Sequence, residues 1–188
     1  MIRIALLGQI GSGKTFVSKC FRYPLFNADQ IVNQIYKKNK KCFKKLNKKF
    51  PNNITKFPIT KSQLRNILTK KNIRIISKIV HPYVRSHLRK FLNINKSVKF
   101  VVLDIPLFLE NKLNKKSDIL IYVKTSKKII YKRLKKRDNF KKKIIYILKS
   151  QQIEISKKMR LSQFIINNSY GKRNILKQIK KIKDKINA

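Results

Sequence analysis

Apolar positions along this chain follow two rhythms. Five short runs are apolar almost throughout: Ile2 with Ile4-Ala5-Leu6-Leu7, Leu25-Phe26-Asn27, Phe100-Val101-Val102-Leu103-Asp104, Ile119-Leu120-Ile121-Tyr122-Val123 and Phe164-Ile165-Ile166. Such runs predict strands buried on both faces, as in a parallel sheet. Between them the apolar residues recur at helical spacing. Residues 16–21 predict a first helix, and Ile31, Val32, Ile35 and Tyr36 a second. The basic stretch 37–49 carries a stripe of Cys42, Phe43, Leu46 and Phe50, and Pro51-Asn52-Asn53 predicts a turn. Phe57-Pro58-Ile59-Thr60 opens another helix, with Leu64, Ile67 and Leu68 inward. Ile73, Ile76, Ile79 and Val80 share a face, which Val84, Leu88, Phe91 and Leu92 resume. His81-Pro82 predicts an interruption between them, because proline lacks a backbone donor. Residues 29–95 thus read as a mainly helical crossover. Residues 126–137 are helical and very basic, and 139–160 read as a charged helical excursion. After Gly171, Ile175, Ile179, Ile182 and Ile186 form one stripe. Strands alternating with helices predict an α/β fold: a three-layer αβα domain with a parallel sheet.

The turn after the first strand brings in chemistry. Gly8-Gln9-Ile10-Gly11-Ser12-Gly13-Lys14-Thr15 matches G-x-x-x-x-G-K-[ST] at every fixed position. It sits between a strand and a helix, the context in which backbone N–H groups point at a phosphate chain. The glycines let the loop curl without Cβ clashes, and Gly11, Ser12, Gly13 and the residues through Phe16 would bind the nucleotide. Lys14 would reach the β- and γ-phosphates, and the Thr15 hydroxyl would be a ligand of Mg²⁺. The fold expected is therefore of the P-loop NTPase type, with ATP and Mg²⁺ as cofactors.

Charge changes the picture less than its size suggests. The 188 residues hold 49 Lys+Arg against 7 Asp+Glu, a net charge of +42. A nucleic-acid-binding surface is one reading. The other is compositional drift, since Lys, Asn and Ile share A/T-rich codons. The lysines are scattered along the chain rather than gathered in one arm, which favours drift, and no specific nucleic-acid partner is expected. The apolar share of 42% fits a globular protein. No run approaches the ~20 apolar residues of a membrane span, and no targeting signal is visible. Cys20 and Cys42 form no metal or redox spacing and read as reduced thiols. A cytoplasmic monomer is expected.

The carboxylates are few enough to enumerate: Asp29, Asp104, Glu110, Asp118, Asp138, Glu154 and Asp184. A kinase needs one to receive or orient the acceptor hydroxyl and often one at the metal. Ligands of an open α/β sheet lie beyond the carboxyl ends of its strands. Asp29, Asp104 and Glu110 follow strand ends and can converge near Lys14. Asp118 begins a strand, at the wrong edge. Asp29 is also placed to cap the next helix, a role compatible with catalysis. Asp104 resembles a Walker B position, or is a strand-end carboxylate without metal. Arg133 and Arg137 lie four apart, on one helix face, and can grip a polyphosphate or form a solvated basic face. Arg160 lies beyond the basic excursion, and residues 138–160 have the position of a lid. In His81-Pro82-Tyr83-Val84-Arg85, Arg85 can hold a phosphate, while His81 can donate to an anion or simply end a helix. No Asn-Lys-x-Asp guanine-reading segment follows a strand, which disfavours a regulatory GTPase.

In order along nearly the whole chain, these features resemble the dephospho-CoA kinases. The resemblance is carried by the phosphate loop through Phe16, Asn27-Ala28-Asp29, His81-Pro82 with Arg85, Pro106-Leu107-Phe108-Leu109-Glu110, the segment from Arg133 to Asp138, and Ile165-Ile166-Asn167-Asn168-Ser169. It implies transfer of the γ-phosphoryl of ATP to the 3′-hydroxyl of dephospho-CoA, with Asp29 as base. It implies an acceptor-binding role for the helical region 29–95. His81, Arg85, Pro106, Leu107 and Glu110 would lie on the acceptor side, Arg133, Arg137 and Arg160 would be lid arginines, and Asn168 would lie near the nucleotide. The chain departs from the pattern at Asn27 and Asn167, each an Asp in the family, at Asn33, where many members have Arg, and at Gln9 and Phe16 in the loop. Another small P-loop kinase is the alternative.

Overall fold

The computed structural model describes residues 1–136, 146–147 and 149–187. Five parallel strands form one sheet in the order β2-β3-β1-β4-β5. They are β1 (Ile2–Leu7), β2 (Leu25–Asn27), β3 (Phe100–Asp104), β4 (Ile119–Lys124) and β5 (Phe164–Asn167). All five expected strands are present.

By its contacts the chain divides into two compact units, Met1–Asn27 with Asn95–Ala188, and Ala28–Ile94. The first holds the sheet, with α1 (Lys14–Cys20), α6 (Lys127–Lys135), α7 (Ile155–Arg160) and α8 (Gly171–Asn187). Alternate residues of the central strands serve opposite faces. Ile4, Leu6, Phe100, Val102, Ile121 and Val123 pack with Val17 of α1 and the Ile175, Ile179, Ile182 stripe of α8. Ala5, Val101, Leu103, Leu120 and Tyr122 are buried on the other face. Burial on both faces is why these strands read as unbroken apolar runs. At the amino ends of the strands, Arg3 grips Asp118 through Nε and Nη2 at 2.6 and 2.5 Å. Asp118 is thereby committed to structure.

The second unit holds α2 (Ala28–Lys38), α3 (Lys40–Lys49), α4 (Lys61–Asn66) and α5 (Lys70–Ile94) around Ile35, Cys42, Leu46, Ile54, Ile59, Ile67, Ile76 and Val80. Thr60 caps α4 in a reciprocal capping box with Gln63. Cys42 is a buried free thiol whose pKa is pushed up to about 11 by burial.

Two local expectations are corrected. The helix does not break at His81-Pro82, because α5 runs through Pro82 without interruption. An interior proline costs about 3 kcal/mol, but the apolar stripe continues on both sides, with Ile76 and Val80 before and Leu88 after all buried. Burial of one such side chain contributes about 1.5–3 kcal/mol, so the stripe outweighs one missing hydrogen bond. Nor does Asp29 cap α2. The helix starts at Ala28, directly after β2, and places Asp29 in its first turn. A negative charge there still complements the helix dipole.

Among the described residues no helix is long and apolar enough to cross a membrane.

Candidate active site

The parallel register places the carboxyl ends of β1, β3 and β4 side by side, with the glycine loop following β1. Gly13 adopts φ 83° immediately before α1, so the first helical N–H groups open onto the loop. Lys14 Nζ donates to the carbonyls of Gly8 and Gln9 at 3.0 and 3.2 Å. Its positive charge thus lies within the curl of the loop.

Three side chains hold the loop by one atom. The Ser12 carbonyl accepts hydrogen bonds from Thr125 Oγ1 at 2.9 Å, Arg133 Nη1 at 3.1 Å and Asn168 Nδ2 at 2.8 Å. Arg133 Nη2 also reaches the Asn168 carbonyl at 3.4 Å. The loop is therefore clamped from the ends of β4 and β5 and from α6. Gly13 lies under this clamp, where an added Cβ would meet Asn168 Nδ2 at 2.5 Å and Arg133 Nη1 at 2.9 Å. Ser12 Oγ is buried without a hydrogen-bond partner. A buried unpaired hydroxyl is costly, and a phosphate oxygen would satisfy it.

Thr15 Oγ1 donates to Asp104 Oδ2 at 2.5 Å, and Asn27 Nδ2 donates to the same oxygen at 2.8 Å. Asp104 is buried at the end of β3. A hydroxyl and a carboxylate oxygen in contact suit a hard cation that takes one or two protein oxygens and completes its shell with phosphate and water. Among the described residues there is no cluster of three or more His, Cys, Asp or Glu side chains, and such a site needs none. Asn27 does here what an acid could not. Its amide donates to Asp104, whereas Asp at 27 would set two carboxylates against each other unless a proton or cation lay between them.

Residues 2–174 match the family model described as dephospho-CoA kinase. The chain belongs to the dephospho-CoA kinase family. It is 32% identical over 191 residues to the dephospho-CoA kinase of Wolbachia pipientis wMel, covering 98% of this chain and 97% of that one. The Bartonella henselae enzyme of the same name is 31% identical over 183 residues, covering 94% and 93%. In fold, the chain is similar to TT1252 from Thermus thermophilus, with TM-score 0.81 and 21% identity over 100% of this chain and 98% of that one. It is similar also to the dephospho-CoA kinase from Campylobacter jejuni, with TM-score 0.64 and 23% identity over 98% and 96%.

The other expected site residues of this kinase fall as follows. Phe16 on α1 is 44% exposed. Leu107 takes φ 56° just beyond β3, an uncommon backbone state for a branched side chain, next to exposed Pro106. Glu110 accepts the Ile153 N–H at 3.1 Å and pairs with Lys158 at 2.6 Å. Arg160 ends α7 and is exposed. Arg137 lies outside the described residues. In the other unit, Asp29 is exposed, and Asn33, one turn later, shares its face. His81 and Arg85 lie one turn apart on α5.

Burial lowers the His81 pKa below its usual 6.5, and the Arg85 charge adds to the effect. The folded chain therefore binds fewer protons at this site than the unfolded chain. The stability tied to the neutral ring is complete above pH 6.5 and is lost as pH falls below it. In urea titrations, His81→Gln should lose less stability than the wild type between about pH 7.5 and pH 5; equal losses would contradict this.

Sequence reasoning missed Thr125 and Lys158. Thr125 follows β4 directly, and a polar residue at a strand end beside the loop was a usable signal. Lys158 had none, being one lysine among many.

Proposed function

We propose that this chain transfers the γ-phosphoryl of ATP to the 3′-hydroxyl of dephospho-CoA, giving CoA and ADP in the last step of CoA synthesis. The phosphoryl-transfer reading is carried by the Thr15–Asp104 contact at the mouth of a clamped glycine loop. The acceptor follows from family membership.

Each residue then has a task. The loop N–H groups and Lys14 hold and neutralise the β- and γ-phosphates. Thr15 and Asp104 would hold Mg²⁺, which supplies charge neutralisation across those phosphates. His81, Arg85, Pro106 and Leu107 would serve the acceptor side. Asp29 accepts the proton of the 3′-hydroxyl as its oxygen bonds to the γ-phosphorus and the bond to the β–γ bridging oxygen breaks. Arg133, Arg137 and Arg160 would balance the charge that moves onto the ADP leaving group. Catalysis of this kind is mostly positioning and electrostatics. We read residues 29–95 as the acceptor-binding region and 138–160 as the lid, within one cytoplasmic, monomeric kinase.

An acceptor screen tests the reading. With Mg-ATP, dephospho-CoA should give kcat/KM at least about a hundredfold above nucleoside monophosphates or shikimate, the range a polar site can discriminate. A better acceptor among the others would overturn the assignment.

A further inference from the structure

Glu110 and Lys158 form an ion pair in a sheltered place. The Lys158 Nζ to Glu110 Oε1 distance is 2.6 Å, and the side chains are 5% and 10% exposed. Lys158 is the only buried lysine among the described residues. Surface pairing is easy for any acid in so basic a chain. Burying an ammonium is not, unless a counter-charge and hydrogen bonds offset its lost hydration. The same carboxylate oxygen accepts the Ile153 N–H, so it holds the segment at both backbone and side chain.

The pair joins the loop after β3 to residues 153–160. Drawing Lys158 inward turns Arg160 outward, because residues two apart on a helix face different sides; Arg160 is exposed. The anchored segment also supplies Ile153 and Ile155 to the wall of a cavity of about 620 Å³. Gln9 of the glycine loop and Ile130 and Leu134 of α6 line the same cavity.

We propose that Glu110 and Lys158 are positioning residues, whose ion pair moors residues 153–160 to the loop after β3 and so sets Arg160 and the cavity wall shared with Gln9. Glu110 then acts as an anchor rather than as a substrate contact. This rests on the phosphoryl-transfer reading, in which Arg160 meets an anionic substrate.

The experiment compares wild type, Glu110→Gln and the double variant Glu110→Gln/Lys158→Met. Gln keeps the shape and an acceptor for Ile153 but strands the buried ammonium. The double variant removes both charges and relieves that penalty. Trypsin cleavage of the Arg160–Leu161 bond, followed by mass spectrometry, should accelerate about tenfold in Glu110→Gln as the segment detaches. In the coupled CoA assay its kcat/KM for ATP should fall about tenfold, mainly through KM, and the double variant should recover to within about threefold of wild type. Unchanged cleavage in Glu110→Gln overturns the mooring. Faster cleavage with unchanged kinetics overturns the positioning role. A wild type that makes no CoA overturns the acceptor assignment instead, while the cleavage comparison still decides the mooring.

Discussion

Asp29→Ala should turn over about a thousandfold more slowly than the wild type, while binding ATP with unchanged affinity. That factor corresponds to about 4 kcal/mol in the barrier. The structural loss is smaller. Asp29 is exposed in the first turn of α2, where a carboxylate's interaction with the helix dipole is worth about 0.3–1 kcal/mol. A turnover defect several times larger than the change in folding stability therefore belongs to chemistry rather than to folding. Asp29→Asn refines the point, because the amide preserves shape and acceptor capacity but takes no proton at neutral pH. It should be nearly as slow as Asp29→Ala. Steady-state kcat, calorimetric ATP affinity and urea unfolding on the same preparations separate the three effects. A kcat within about tenfold of wild type, below the usual range for general-base removal, would exclude Asp29 as the base.

Gly13→Ala should weaken ATP binding about a hundredfold. Three terms add. The left-handed backbone at φ 83° costs an L-residue about 1–2 kcal/mol. The new methyl would sit 2.5 Å from Asn168 Nδ2, which cannot retreat without leaving the Ser12 carbonyl. Loss of that hydrogen bond costs about another 1 kcal/mol. Displacing Arg133 from the same carbonyl adds a third term, since it lies 2.9 Å from the new methyl. Gly171→Ala is the control. Its φ is 82°, with nothing within 4 Å of the added methyl, so it carries backbone strain alone and should leave ATP affinity unchanged. Calorimetric titration with ATP reads both variants. An ATP affinity for Gly13→Ala as unchanged as that of Gly171→Ala would contradict the role given to the clamp.

The three central strands were legible because parallel strands, buried on both faces, leave apolar runs such as residues 100–103. The edge strands β2 and β5 are only partly buried and were legible from short apolar runs alone. The glycine loop was legible because its spacing is a requirement of geometry. Pro82 misled because the local rule against proline in helices knows nothing of tertiary burial, and Val80 and Leu88 decide the matter from either side. Asp29 was misread as a cap because β2 passes directly into α2 without an intervening residue. Asn27 looked like a loss of charge, and its amide turns out to hold Asp104. Lys158 could not have been found from composition, since its burial depends on Glu110, 48 positions earlier.

The most direct test follows the phosphoryl group itself. Purified protein is incubated with Mg²⁺, dephospho-CoA and ATP carrying oxygen-18 in its γ-phosphoryl group, and the products are resolved by mass spectrometry. The expected result is one labelled phosphate on the ribose 3′-oxygen of CoA for each ADP formed. Label released as inorganic phosphate, or carried to another position while dephospho-CoA persists unchanged, would contradict it.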